Sequence, residues 1–314
     1  ATIPLDSRWS VNSRATIDYD YVKDPAQYYE MHWSALYNYY MRDRGMTPYE
    51  AHRQANANLG GATADGGLGY LTYTVPDGEY LIGTNGRMNP HATKGRRIYY
   101  NGKVYTAAPD SWLDEAFRHS LRQEYNLSLT GGTGNLNFYG SIGYLDNQGI
   151  VYNSDFQRTT IRLKADYQAK DWLKVGANMN YAHSTSDDVD EGSGTSLFGI
   201  TNTMAPIYPV YLRDGDGKMY DYGSGELAGL NRPVLSRNNP LQENSLNTDR
   251  TIGNTLTLTG YADLTPFEGL KVTVNGTVTS GESHYTSTQQ GFYGYGKTAY
   301  PGGYVYKYNS IVYA

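Results

Sequence analysis

A glycine-rich segment near the end of the chain matches the spacing of a phosphate-binding loop. Gly291, Gly296, Lys297 and Thr298 fit the pattern GxxxxGK[ST]. In a nucleotide site this loop joins a buried strand to a helix whose N-terminus faces the phosphates. The residues that follow here include Pro301 and two glycines, so no helix is expected to begin there. The sequence therefore does not predict a nucleotide site.

Closely spaced carboxylates suggest a second chemistry, the binding of a calcium ion. The candidate ligands are Asp214, Asp216 and Asp221. An EF-hand loop needs glycine at its sixth position and glutamate at its twelfth, where this chain has Met219 and Gly225. We expect a β-turn in a hairpin here, and keep the three carboxylates only as weak metal candidates.

Motifs for catalysis are missing from the sequence. The six histidines include no pair at i and i+4 and no HExxH, no serine lies in GxSxG, and there is no cysteine. The pattern therefore predicts neither an enzyme nor a cofactor. The formal net charge of −5 argues against a nucleic-acid partner, because nucleic acids favour a basic surface.

Tyrosine dominates the aromatic composition, with 33 residues against 6 Phe and 4 Trp. Its side chain suits pleated sheets, membrane interfaces and loops that contact sugars or peptides. Tyrosines in loops can stack on a ligand or pack on one another, and the sequence leaves both open. The candidate ligand-binding residues in predicted outer loops are Tyr208, Tyr211, Tyr220, Tyr222, Tyr293 and Tyr295.

Two helices are predicted at about 25–44 and 48–59. The first begins with Asp24 as N-cap and Pro25 at the first helical position. Trp33, Tyr37 and Tyr40 then recur at helical spacing. Packing of the helix pair on its neighbours is the main explanation for this aromatic stripe, and anchoring of a partner protein is the alternative.

The elements that must position these residues are strands with a period of two. Apolar residues alternate with polar or small ones in stretches of about ten residues, the length of a tilted strand that crosses a bilayer. An odd number of strands supports part of a larger barrel, since single-chain barrels of bacteria have an even number. The predicted strands are 2–13, 122–131, 136–145, 156–167, 173–184, 251–262 and 270–280.

Connections between these strands alternate between short and long. The turns at 131–135, 168–172 and 264–269 are tight. Long strands with short turns at one end and long loops at the other are typical of outer-membrane β-barrels, and no apolar run is long enough for a spanning helix. The expected extracellular loops are 14–121, which contains the helix pair, 146–155, 186–250 and 281–314.

Several strings of residues resemble the SusC/RagA family of TonB-dependent transporters of Bacteroidetes. They are WSVNSRATIDYDYVKDPAQYYEMHW (9–33), DSWLDEAFRHSLRQEYNLSLTGG (110–132), FYGSIGYLDNQGIVYNSDFQRTTIRLKADYQAKDWLKVGANMNYAHS (138–184) and TGYADLTPFEGLKVTVNG (259–276). The resemblance implies an all-β fold, part of a 22-stranded transmembrane antiparallel barrel. It places residues 1–314 in the first part of the barrel, with the plug domain and TonB box absent. Any export signal is expected outside this chain, which begins without a basic or an apolar leader.

The resulting functional hypothesis is TonB-dependent import of oligosaccharides or oligopeptides across the outer membrane. The partners implied by the resemblance are the remainder of the barrel and its plug, a SusD-like lipoprotein, the TonB complex acting through the plug, and outer-membrane lipid. The alternative is a surface or secreted β-sheet adhesin or binding module without transport, because half-buried strands of soluble proteins also alternate.

Overall fold

A computed structural model shows one large antiparallel sheet with a folded module at one edge. The large sheet has eight strands in the order β1-β6-β7-β8-β9-β12-β13-β14. The structure describes residues 5–12, 24–100, 103–189, 197, 199, 203–220, 239–292 and 299–314. The strands of the large sheet are β1 (Leu5–Asn12), β6 (Ser120–Gly132), β7 (Leu136–Asn147), β8 (Phe156–Lys170), β9 (Leu173–Asp188), β12 (Thr248–Phe267), β13 (Leu270–Gln289) and β14 (Tyr304–Tyr313).

Seven of these strands were predicted from the alternation, and β14 was not. The expectation of a loop over 281–314 is therefore wrong, because β13 continues to Gln289 and β14 pairs with it. Tyrosines at 304, 306 and 308 lie on one face of β14, while Val305 and Ile311 lie on the other. Since both faces carry large apolar side chains, the period of two is hidden in the sequence. Likewise β9 and β12 extend into the loop predicted over 186–250.

All the long connections leave the sheet along the same row of strand ends, and "edge" here means such a row and not an outer strand. This edge is defined by the last paired residues of neighbouring strands. They are Asn12↔Ser120, Asn147↔Phe156, Asp188↔Asp249 and Gln289↔Tyr304. At the opposite edge, within the described residues, neighbouring strands are joined by the tight turns of hairpins, as at Phe267↔Leu270. The short–long alternation seen in the sequence is therefore a real separation of the two edges.

The two faces of the sheet differ sharply. One cross-strand row on the first face consists of apolar residues and a glycine, and the row beside it on the other face consists of hydroxyl, amide and guanidinium side chains. Leu163 and Leu258 in the apolar row are 49% and 45% exposed, so this face has no protein layer over it among the described residues. The apolar row is Leu129, Gly140, Leu163, Met179, Leu258 and Val278, and the polar row is Ser128, Ser141, Arg162, Asn180, Thr257 and Thr279.

The helix pair begins where the sequence predicts. In α1 (Pro25–Arg42), the Asp24 carboxylate accepts a hydrogen bond from the backbone N–H of Ala26 at 3.1 Å. In α2 (Pro48–Leu59), Thr47 and Glu50 form a capping box, in which each side chain bonds to the other residue's backbone N–H. Both caps satisfy donors that would otherwise lack partners in the first turn.

The predicted loop 14–121 contains short strands after the helix pair. A two-stranded sheet joins β2 (Tyr73–Thr74) to β3 (Thr93–Lys94). The short strands of a second, four-stranded sheet come from two distant segments of the chain, so no local pattern reveals them. This sheet has the order β11-β10-β5-β4, with β4 (Arg96–Tyr100), β5 (Lys103–Ala107), β10 (Tyr211–Arg213) and β11 (Lys218–Tyr220).

We call residues 24–119, 203–220 and 239–247 the insert module, because they come from the two longest connections and share one core. It also contains α3 (Trp112–Ala116) and α4 (Pro240–Leu246). The main hydrophobic core of the described residues lies here and includes residues of both connections. Among the residues that the structure describes, no helix combines the length and apolar composition needed to cross a membrane.

Buried hydrogen bonds tie the two connections together. The Thr72 hydroxyl donates to the carbonyl of Ile207 at 2.8 Å, and the Tyr208 hydroxyl donates to the carbonyl of Leu68 at 2.9 Å. The Trp112 indole N–H donates to the carbonyl of Tyr208 at 3.1 Å. Because such groups are costly to bury without partners, these bonds fix how the second connection lies on the first.

Candidate functional site

A cavity in the insert module brings aromatic, amide and charged side chains together. Its volume is about 400 Å³, within the usual range for ligand pockets. It lies between α3, the β10–β11 hairpin, α4 and the connection from β7 to β8. The residues that matter most for its chemistry are Glu115, Tyr152, Asn153, Tyr211, Lys218, Tyr220 and Asn244.

One wall of the cavity is formed by paired tyrosines. Tyr211 and Tyr220 are cross-strand partners whose ring centroids lie 4.9 Å apart. The Lys218 ammonium lies 3.7 Å from the centroid of the Tyr211 ring, as in a cation–π contact. Burial, with smaller contributions from Tyr220 and Glu115, raises the pKa of Tyr211 far above its ordinary value. The phenol therefore keeps its proton at neutral pH.

A second wall is formed by Tyr152. The Arg118 guanidinium lies 4.9 Å from the centroid of this ring, and Arg118 is itself held by Asp155 at 2.5 Å. Asn153, next in the chain, has a positive φ of 65°, a conformation that asparagine tolerates better than most residues. The Asn153 amide donates to the carbonyl of Asn244 at 2.7 Å. The Asn244 amide in turn donates to the carbonyl of Tyr152 at 2.8 Å. Arg118 thus contacts the Tyr152 ring, while Asn244 fixes the backbone of the same residue.

Asp110 positions the β10 strand that carries Tyr211. Its carboxylate accepts hydrogen bonds from the backbone N–H groups of Val210 at 2.8 Å and Tyr211 at 3.1 Å. It also accepts from the Arg213 guanidinium at 2.7 Å, and this bond raises the pKa of Arg213. One carboxylate of the first connection therefore accepts hydrogen bonds from three residues of the second, Val210, Tyr211 and Arg213.

The structure separates the tyrosines that the sequence nominated for ligand binding. Tyr211 and Tyr220 line the cavity. Tyr208 is only 1% exposed and its hydroxyl is used inside the core, so its nomination as a ligand-binding residue is wrong. Burial by distant residues is not visible in its local sequence. Tyr222, Tyr293 and Tyr295 lie outside the described residues.

Sequence reasoning missed Tyr152, Asn153 and Asn244 at this cavity. They come from a short connection and a short helix in which the sequence analysis found no ligand-binding motif. Their contribution depends on hydrogen bonds between residues about 90 positions apart, namely 91 for the bond from Asn153 and 92 for the bond from Asn244. A tyrosine beside an asparagine in an outer loop was the only available signal.

The aromatic stripe of α1 faces the core to different degrees. Trp33 is only 5% exposed, stacks on Tyr37 at 5.0 Å and contacts His52 edge-on at 5.6 Å. Its nomination as a partner-binding anchor is therefore wrong, since the side chain is enclosed by the insert module. Tyr37 and Tyr40 are half-buried, and for them partner binding remains a prediction.

The carboxylates Asp214 and Asp216, named above as metal candidates, lie in the turn of the β10–β11 hairpin. The Asp214 carboxylate accepts hydrogen bonds from the backbone N–H groups of Asp216 at 3.0 Å and Gly217 at 2.7 Å, which lowers its pKa. Lys103 lies 3.7 Å from the same carboxylate. Asp221 lies outside the described residues. Within the described ranges, no three His, Asp or Glu side chains are grouped as a metal site.

Comparison with known proteins points to TonB-dependent receptors. The chain is 27% identical over 177 residues to TonB-dependent receptor P26 of Formosa agariphila, covering 56% of this chain and 16% of that receptor. It is 29% identical over 125 residues to the TonB-dependent receptor SusC of Bacteroides thetaiotaomicron, covering 40% of this chain and 12% of SusC. No family model matches the chain.

The fold agrees with this relationship. A structure of the RagAB peptide transporter superposes with a TM-score of 0.54 over 92% of this chain and 29% of that chain, at 18% sequence identity. The chain is therefore similar in sequence to parts of TonB-dependent receptors and in fold to part of the RagAB transporter. It spans less than a third of the length of each of these relatives.

This similarity accounts for the two faces of the large sheet. The chain belongs to the outer membrane, and in barrels of that membrane exposed apolar rows meet lipid while polar rows face the barrel interior. The eight strands form an open arc of a larger antiparallel barrel.

Proposed function

We propose that this chain forms part of the wall and the outer module of a TonB-dependent importer of oligosaccharides or oligopeptides. In this proposal the protein is a transporter and not an enzyme. Energy reaches the barrel from the TonB complex through a plug domain, and a SusD-like lipoprotein covers the outer opening. The remainder of the barrel, the plug and outer-membrane lipid are its other partners.

The observation that carries the proposal is the separation of the two edges of the sheet. Both of the longest connections leave the same edge and fold into one module, whereas the other edge has tight turns. Outer-membrane barrels place their long loops outside the cell and their short turns in the periplasm. In our proposal the insert module therefore lies on the extracellular side, where it meets substrate.

The alternative of a surface adhesin makes a different prediction about energy. An adhesin needs no TonB, and its loss does not limit growth on a polymer that other proteins import. We expect growth on the cognate oligomer to require both the full-length transporter and TonB, and growth on the monomer to require neither. Growth on the oligomer that persists without TonB would refute the transporter function.

Orientation is tested by single cysteines in the full-length protein, since this chain has none. Asp77 lies in the insert module, and Thr133 lies in a tight turn at the opposite edge; both are exposed. An impermeant thiol reagent applied to whole cells is expected to label Asp77→Cys and not Thr133→Cys. Both variants must react after lysis, which is the control. Labelling of Thr133→Cys on intact cells would reverse the proposed topology.

The half-buried side of α1 is the candidate dock for the lipoprotein. Replacing Tyr37 and Tyr40 together by Ala is expected to weaken co-purification of the full-length transporter with its lipoprotein, because aromatic side chains are common interface anchors. Tyr49→Ala, at a residue 71% exposed on α2, serves as the control. An unchanged complex in a correctly folded double variant would show that these tyrosines serve packing alone.

A further inference from the structure

The cavity in the insert module has the features of a site for sugar rings. We propose that it binds one or two rings of a neutral oligosaccharide, with Tyr152 as the stacking surface. This inference rests on the proposed import function and selects between its two substrate classes. It assigns a role to Tyr152, Asn153 and Asn244, for which the sequence offered no role.

Tyr152 is exposed and yet rigidly held. Its side chain is 52% exposed, although its backbone carbonyl is fixed by Asn244 and its ring by Arg118. A tyrosine that is already ordered in an exposed position loses little conformational entropy when a ligand stacks on it. A ring of this kind suits the flat C–H face of a pyranose, which needs an apolar surface beside polar groups.

The charges around the cavity already have partners within the protein. Lys218 lies over the Tyr211 ring, and Glu115 is close enough to Tyr211 to contribute to the raised pKa of its phenol. Asp114 is engaged as well. A ligand anion, including a peptide carboxylate, that draws the exposed Lys218 ammonium off the Tyr211 ring gives up a cation–π contact. Neutral hydroxyl groups can join the network without separating charges.

The polar groups at the cavity match a ligand with many hydroxyls. Asn153 and Asn244 donate their amide hydrogens within the protein, and each carries an amide oxygen that can accept. The Tyr220 and Tyr152 phenols can both donate and accept. An extended peptide backbone is recognised best by an exposed strand edge, and Lys218 and Tyr220 lie on β11, the outer strand of its sheet among the described residues, so hexapeptides are the competing probe in the test.

The test measures binding to the purified full-length transporter by calorimetry. The probes are four neutral hexasaccharides (maltohexaose, cellohexaose, xylohexaose and laminarihexaose) and a mixture of neutral hexapeptides. At least one hexasaccharide is expected to bind. Tyr152→Ala should weaken that binding about tenfold, and Tyr152→Phe, which keeps the ring, should stay within about twofold. Tyr49→Ala, on the exposed side of α2, is the control.

Three results would overturn the inference. In the first, none of the hexasaccharides binds. In the second, the wild type and a folded Tyr152→Ala variant bind a hexasaccharide equally well. In the third, hexapeptides bind and their binding depends on Tyr152. Its failure is distinct from that of the import function. Uptake that needs TonB but is unaffected by Tyr152→Ala removes the sugar site alone. Sugar binding that depends on Tyr152 in a protein whose uptake ignores TonB removes the import function alone.

Discussion

A single arginine placed on either face of β12 should separate the lipid side from the interior. Leu258 lies on the apolar face and is 45% exposed, whereas the neighbouring Thr257 faces the other way and lies 3.3 Å from Thr279, hydroxyl to hydroxyl. We expect Leu258→Arg to destabilise the folded barrel much more than Thr257→Arg. The comparison is sharp because the two positions are adjacent in one strand.

The position of Leu258 in the bilayer follows from the strand geometry. From Asn254, where the outward face becomes polar, to Leu264, a rise of ~3.3 Å per residue and a tilt of ~40° span about 25 Å, the height of the apolar band of such barrels. Leu258 then lies about 10 Å below the outer boundary, close to the midplane, by the same geometry. Arginine facing lipid at that depth costs roughly 2–4 kcal/mol.

Thr257→Arg loses one hydroxyl–hydroxyl bond, worth about 1 kcal/mol, and leaves the charge in a wet interior. The two variants should therefore differ by about 1–3 kcal/mol, which is roughly 5- to 150-fold in the folding equilibrium. Urea titration of the full-length protein in lipid vesicles, followed by gel mobility of the folded form, measures this difference. Leu258→Ala controls for the lost apolar side chain. Equal effects, or a larger effect at Thr257, would refute the assigned faces.

Three further predictions concern the insert module. Trp33→Ala should destabilise the module by about 3–5 kcal/mol, because it leaves a cavity in the core, whereas Tyr49→Ala should change its stability little; hydrogen exchange reports both. Asp110→Ala should lower the free energy that holds the second connection on the module by about 2–3 kcal/mol, because hydrogen bonds to a charged acceptor are lost. Proteolysis after residue 203 should then be faster, and an unchanged rate would contradict this prediction. Burial raises the pKa of Tyr29 to about 12. The protonated Tyr29 therefore contributes its full stabilisation below pH 10, and this contribution is lost as the pH rises through 12. Tyr29→Phe should remove this part of the pH dependence in alkaline unfolding experiments.

The barrel wall could be predicted because its information is local. Each strand alternates between lipid and interior, so the period of two is written along residues such as Leu173 to Tyr181. The N-caps of the helix pair are local too, since Asp24 and Thr47 bond within three residues of themselves. The strand β14 escaped prediction because large side chains, tyrosines on one face and Val305 and Ile311 on the other, lie on both of its faces.

The insert module and its cavity could not be predicted, because their information is not local. Nothing in the sequence near Asp110 indicates that it holds Val210 and Arg213, about a hundred positions away in the chain. Burial of Tyr208 and exposure of Tyr152 likewise depend on which connection packs against which. The sequence by itself determined the sheet, its two faces and its two edges, through periodicity and turn chemistry. Only the tertiary structure decided which tyrosines became core and which line a cavity, because that choice follows from packing between distant segments.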